Sequence, residues 1–206
     1  EPRMRYPKEA FHTLWAEVVK RTGNGSIGIE AGRFYSPLDL SALGVSFLSS
    51  TTLMEALQRI HRYESIVNSS LTFTITETQG RVDVLSDANF SVEQVARIHE
   101  DIRVSILLDL CRKGLGPALN PIEVAFTYPE PKDTSEYAAI FCCPLVFSQP
   151  ISRVSLRVED TQRPFLSSNR DVAFGNDQIL DRVLSELKGS SLASQVKHVI
   201  IECLPS

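Results

Sequence analysis

Side chains able to grip an anion recur at two points of this sequence. His61, Arg62 and Tyr63 stand together at the close of one helical pattern, and His99 and Arg103 fall one turn apart on another, near the face set by Ile102 and Ile106. A guanidinium offers a rigid set of N–H donors suited to a carboxylate, while imidazole and phenol add single hydrogen bonds. Burying Arg103 unpaired would be costly, so if it points inward a carboxylate must meet it, either Glu64 or one belonging to a ligand. Otherwise it is exposed or paired within the chain. Trp15, Phe126 and Tyr128 carry the rings that wall an apolar pocket with polar handles, and the same spacing suits an ordinary core.

Residues for bond-making chemistry form no known arrangement. No serine stands in a G-x-S-x-G elbow, no lysine in a phosphate loop, and no cysteine has an evident histidine partner, so no catalytic residue is assigned and no enzyme is expected. His12, His61, His99 and His198 are scattered, with no H-E-x-x-H and no imidazole pair at helical spacing, which leaves no metal site. Glu100 and Asp101 follow His99 directly, but consecutive helical residues diverge, so a solvated helix surface is expected there. Gly23, Gly25 and Gly28 match the dinucleotide pattern G-x-G-x-x-G after a helix rather than a strand. They are therefore expected to form a cap and loop, and no cofactor is implied. Cys111, Cys142, Cys143 and Cys203 make no C-x-x-C pair and read as reduced thiols.

Composition narrows the partners. With 206 residues, 43% of them hydrophobic, the chain can bury one main core. Its formal charge of −4 is spread without a basic stripe, so DNA is not expected to bind this part by itself. No apolar run approaches the roughly 20 residues that cross a bilayer, and residues 1–10 lack a signal-peptide core. The expectation is a soluble, cytoplasmic chain with no membrane partner.

Periodicity outlines the elements that must position the candidates. Pro7 suits a first helical residue, and Phe11, Leu14, Trp15 and Val18 repeat at helical spacing until Gly23. A short helix is expected over residues 27–35 before Pro37, and the apolar run 43–48 decides nothing. Thr52 and Glu55 have capping-box spacing, followed by the stripe Leu53, Ala56, Leu57 and Ile60. Leu71, Phe73 and Ile75 alternate with threonines, and Gln79-Gly80 turns the chain back through Val82 and Val84 as a hairpin. Ser91 and Gln94 repeat the capping spacing ahead of the longest helix, whose stripe Val95, Ile98, Ile102, Ile106 and Leu110 stops at Gly114 and Gly116. Ile122, Val124 and Phe126, then Val154, Leu156 and Val158, read as strands around a short helix reaching Phe141. Ile179, Leu180, Val183 and Leu187 lie on a last strong helix closed by Gly189. That helix is apolar on more than one side and is either a dimer surface or a packing face for its own domain. Ser190-Ser191 opens a linker, and Leu192, Val196, Val199, Ile200 and Cys203 outline one more helix. Together these give an α+β fold, an antiparallel sheet flanked by amphipathic helices in one main domain.

Ser50, Thr52, Leu53, Glu55, Ala56, Leu57, Arg62 and Tyr63 match a helix start and an Arg-Tyr helix end that resemble the effector-binding and dimerisation domain, of "arabinose-binding" type, in AraC-family bacterial transcription regulators. Downstream, Pro121, Val124, Phe126, Pro129, Pro131, Tyr137, Phe141, Pro144, Val146 and Phe147 follow the family's run, and Leu156 and Pro164 continue it. Cys142 stands where the family carries glycine. The resemblance spans roughly residues 8–170. It implies a small intracellular effector, a homodimer, and DNA contact only through a C-terminal helix-turn-helix domain needing about 80–100 further residues. Residues 1–189 then form the sensing domain, and 190–206 a linker with the first helix of that DNA-binding domain. The candidate effector contacts are Trp15, His61, Arg62, Tyr63, His99, Arg103, Phe126 and Tyr128, with Ile179, Leu180, Val183 and Leu187 at the dimer interface. A ligand-independent dimerisation module and a small-molecule enzyme are the alternatives. A cavity of about 300 Å³ or more between the Thr52 and Ser91 helices would favour sensing.

Overall fold

Alternating apolar and polar residues on either side of Gly80 build the first hairpin. In the computed structural model, which describes residues 8–67, 71–88 and 93–203, β1 (Leu71–Thr78) and β2 (Arg81–Ala88) pair antiparallel across Gly80 at φ +75°. The helices before them are α1 (Lys8–Thr22), α2 (Ile27–Arg33), α3 (Ala42–Leu48) and α4 (Leu53–Val67), with a 3-10 turn at Pro37–Leu40. After them come α5 (Glu93–Leu115), β3 (Glu123–Ala125), α6 (Ser135–Phe141), β4 (Leu145–Val146), β5 (Ser152–Arg157), α7 (Val158–Thr161) and α8 (Arg170–Cys203). The strand order is β1-β2-β5-β3-β4, antiparallel except for the parallel β3–β4 pair, so the α+β expectation holds.

Strand period decides which face is covered. Phe73, Val82, Val84, Val124, Val154 and Leu156 are buried, and most of them join Leu107, Leu108 and Cys111 of α5 in the main core. The opposite face carries an ion network in which Arg153 meets Glu123 at 2.5 Å and Arg81 meets Asp83 at 2.6 Å.

α5 is covered from a second side by α2, and glycine makes that approach possible. A Cβ on Gly28 would fall 2.7 Å from the Ile98 carbonyl oxygen and from Asp101 Cβ, and one on Gly32 would strike Ser105 Cβ. Gly23, at φ +63°, caps α1 as expected.

Three element expectations change. The undecided run near residue 43 is the helix α3. The helix expected to be the longest, α5, continues through Gly114, where a side chain would collide with the Phe165 ring, and stops at Gly116, so that at 23 residues it is shorter than α8. Most consequential is α8, a single 34-residue helix that runs through Gly189 and the expected Ser190-Ser191 linker without a break. Helix hydrogen bonding across these residues overrides their weak helical preference. Pro7 and Ser91 lie outside the described residues, as do the side chains of Phe11 and of the stripe expected from Leu192 to Cys203. Among the described residues no helix is long and apolar enough to cross a membrane.

Candidate functional site

The cap that starts α4 also fixes the phase of its faces. Thr52 Oγ1 accepts the Glu55 N–H at 3.3 Å, while the Glu55 carboxylate reaches the Thr51 N–H at 2.8 Å, one residue before the expected reciprocal partner. With the helix so phased, Ile60, Glu64 and Val67 face Arg103, Ile106, Leu107 and Leu110 of α5 across a cavity of about 100 Å³. Tyr35, Leu40, Leu43 and Phe73 complete its walls. The cavity lies between the two helices named in the expectation, but its volume is about a third of the lower bound for drug-sized sites.

The cavity's polar groups are unequally satisfied. Glu64 accepts the backbone N–H of Phe73, and His61 Nδ1 donates to the Phe73 carbonyl at 2.5 Å, since a carbonyl oxygen can only accept. Two α4 side chains thus occupy both backbone groups of one residue on the edge strand β1. Burial pushes the Glu64 pKa up, opposed by the Phe73 N–H and by His61. Arg103 differs. Its Nε and Nη1 are sealed from solvent and have no hydrogen-bond partner among the described residues. Burial drives its pKa down, against the pull of Glu100 and Asp87. The Glu64–Arg103 pairing expected as one alternative does not form, because Phe73 holds the carboxylate.

Among the candidate contacts, Arg103 lines this cavity, while Trp15, His61, Arg62, Tyr63, His99, Phe126 and Tyr128 do not. Trp15 on α1 and His99 on α5 are half-buried elsewhere. Arg62 and Tyr63 turn instead to α8, where Asp181 Oδ1 accepts from Arg62 Nη2 at 2.8 Å and from the Tyr63 hydroxyl at 3.0 Å. Phe126 is fully buried in an aromatic cluster, stacked on Phe147 at 5.3 Å and edge-on to Tyr137 at 5.5 Å. On the candidate dimer helix, Leu180 packs inward against Leu43 and Tyr63, which removes it from any outer surface. Ile179 is 50% exposed, and Val183 and Leu187 are half-buried.

The solvated surface expected at Glu100 and Asp101 is instead a buried polar cluster. Asp101 is fully buried and accepts hydrogen bonds from the Tyr128 hydroxyl and, at 2.9 Å, from that of Tyr137. Arg97 donates to the Tyr137 hydroxyl at 3.1 Å and lies 4.9 Å from the Tyr128 ring centre. Glu100 accepts the Thr127 N–H at 2.8 Å and its hydroxyl at 2.6 Å. Burial raises the Asp101 pKa to about 7, resisted by the two tyrosines and Arg97 and assisted by Glu100. The overlooked sign in the sequence is that α5 carries Leu107, Leu108, Leu110 and Cys111 around more than one face, the mark of a helix covered on several sides. Arg59 was missed as well. Its Nε lies 3.1 Å from both oxygens of Asp177 and its Nη1 lies 2.7 Å from Glu55, so it ties α4 to α8.

Residues 1–165 match the profile of the arabinose-binding domain of AraC transcription regulators, N-terminal. Over 192 residues the chain is 21% identical to an ornithine utilization regulator of Pseudomonas aeruginosa, covering 93% of this chain and 57% of that protein. The chain therefore spans little more than half the length of this curated relative. Its fold matches the crystal structure of the transcriptional regulator CdpR from the same species with a TM-score of 0.73 at 18% identity, over 100% of this chain and 68% of that one.

Proposed function

The chain belongs to the family of N-terminal arabinose-binding domains of AraC transcription regulators, and from that premise we propose that a small effector binds between α4 and α5. The observation that carries this reading is Arg103, whose Nε and Nη1 are sealed and without a hydrogen-bond partner among the described residues, in a cavity wall that is largely apolar. A charged donor left so is costly unless something comes to meet it. The task is binding rather than turnover, as suits relatives that are regulators.

Binding acts on transcription by shifting a population. An effector that prefers one arrangement of the regulator by about 1.4 kcal/mol changes the equilibrium tenfold, and one without preference changes nothing. α4 faces the cavity on one side and holds α8 on the other through Arg59–Asp177 and Arg62–Asp181. In this reading α8 leads to a DNA-binding domain beyond residue 189, and its outer stripe of Val172, Ile179 and Val183 pairs two subunits. Val172 and Ile179 are 40% and 50% exposed, which supports that choice.

The test is the full regulator carrying Leu107→Trp, which fills the cavity. Loss of the effector response with DNA binding retained supports sensing, and an unchanged response refutes it. The small cavity volume favours one second reading, a ligand-independent dimerisation module, for which Leu107→Trp leaves transcription untouched.

A further inference from the structure

Hydrocarbon makes up most of the wall between α4 and α5, with Ile60, Phe73, Ile106, Leu107 and Leu110 around the space. An apolar cavity of about 150 Å³ holds a benzene ring, so about 100 Å³ holds an apolar body of roughly four carbons. The positive charge on this wall is Arg103, whose Nε and Nη1 have no hydrogen-bond acceptor among the described residues. A ligand acceptor that reaches this guanidinium makes charge-assisted bonds with it.

The acids nearby limit how much negative charge the ligand can bring. Glu64 stands in the wall, and Glu100 and Asp87 already bear on the guanidinium. A second anionic charge, as on a phosphate or a dicarboxylate, would meet no second cation among the lining residues and would face Glu64. An ammonium fits no better, since its natural partner Glu64 is bonded to the Phe73 N–H and burial favours its neutral form.

Resting on the effector-sensing reading, we propose that the effector is a short-chain monocarboxylate of about four to six carbons. Its carboxylate accepts from Arg103 and its tail fills the space against Leu107 and Leu110.

Calorimetric titration of the intact chain with butanoate, hexanoate, decanoate, hexanamide and ornithine tests this. Hexanoate binds at least about tenfold more tightly than hexanamide. Affinity rises about fourfold per methylene from butanoate to hexanoate, and decanoate and ornithine bind more weakly. Arg103→Gln brings hexanoate down to the level of hexanamide. Should that variant not fold, the series on the natural chain still decides. Equal affinity for hexanoate and hexanamide, or a preference for decanoate or ornithine, overturns the proposal. If those ligands nevertheless lose affinity in Leu107→Trp, the cavity remains a sensor of another chemistry. If none of the five binds and Leu107→Trp leaves the response of the full regulator unchanged, the sensing reading falls together with the carboxylate.

Discussion

Arg103 brings a charge into a largely hydrocarbon wall where its Nε and Nη1 find no hydrogen-bond acceptor among the described residues, an arrangement that weakens the unliganded domain while preparing it for an anion. Arg103→Met therefore separates stability from function. It should stabilise the ligand-free chain by about 1–2 kcal/mol, seen as a thermal midpoint higher by roughly 3–6 °C, while abolishing carboxylate binding. A lower midpoint would mean that Arg103 supports the fold instead. Asp101 gives the second prediction at this scale. Its folded pKa of about 7 lies above its ordinary value, so its contribution is fully present below about pH 4 and is lost as pH rises through 7. The loss is at most about 4 kcal/mol. Asp101→Asn should flatten urea-derived stability between pH 4 and 7, and an unchanged slope would locate the titration elsewhere. Arg103 stood out in the sequence because a cation beside an apolar stripe is conspicuous. Asp101 did not, because its tyrosine partners lie 27 and 36 residues away and only the fold brings them to it.

Helices and strands with a clear period were legible, and the departures come from contacts that no local pattern encodes. The hairpin, α4 and α5 follow their stripes, whereas α8 crosses Gly189 although glycine and paired serines ordinarily close a helix. Its first half is held by neighbours. Asp177 takes Arg59 from α4 and, at 2.5 Å, the Ser46 hydroxyl from α3. Asp177→Ala leaves the Arg59 side chain, 13% exposed, without its main partner and should cost about 2–3 kcal/mol. Amide exchange should quicken in residues 170–180 before it does in the sheet, and uniform protection there would show the seam to be dispensable. The turn after α6 offers a change of opposite sign. Cys142 sits at φ 52°, ψ 37° in the left-handed region, which favours glycine over a residue with a Cβ. Cys142→Gly should stabilise by about 0.5–1 kcal/mol, after the entropy of glycine offsets part of the relieved strain. A chemical denaturation midpoint that falls would refute this.

At the scale of the whole molecule, sensing requires that a change at the cavity alter the placement of whatever follows the domain. α8 has the geometry of a lever. It is held against α3 and α4 at one end and extends over 34 residues, about 50 Å, in one helical piece. The proposed DNA-binding domain past residue 189 is then oriented by the phase of this helix, whereas a flexible Ser190-Ser191 linker would erase orientation. Insertions distinguish the two. One alanine after Gly189 turns everything downstream by about 100°, and seven turn it through nearly two full turns, leaving about 20° of error with some 10 Å of added length. For a rigid lever, the full regulator with one inserted residue binds its effector unchanged but loses the transcriptional response, and the seven-residue insertion restores much of it. A response that survives both insertions equally would assign transmission to a tether, and the arrangement of subunits through the Ile179 stripe would then have to carry it.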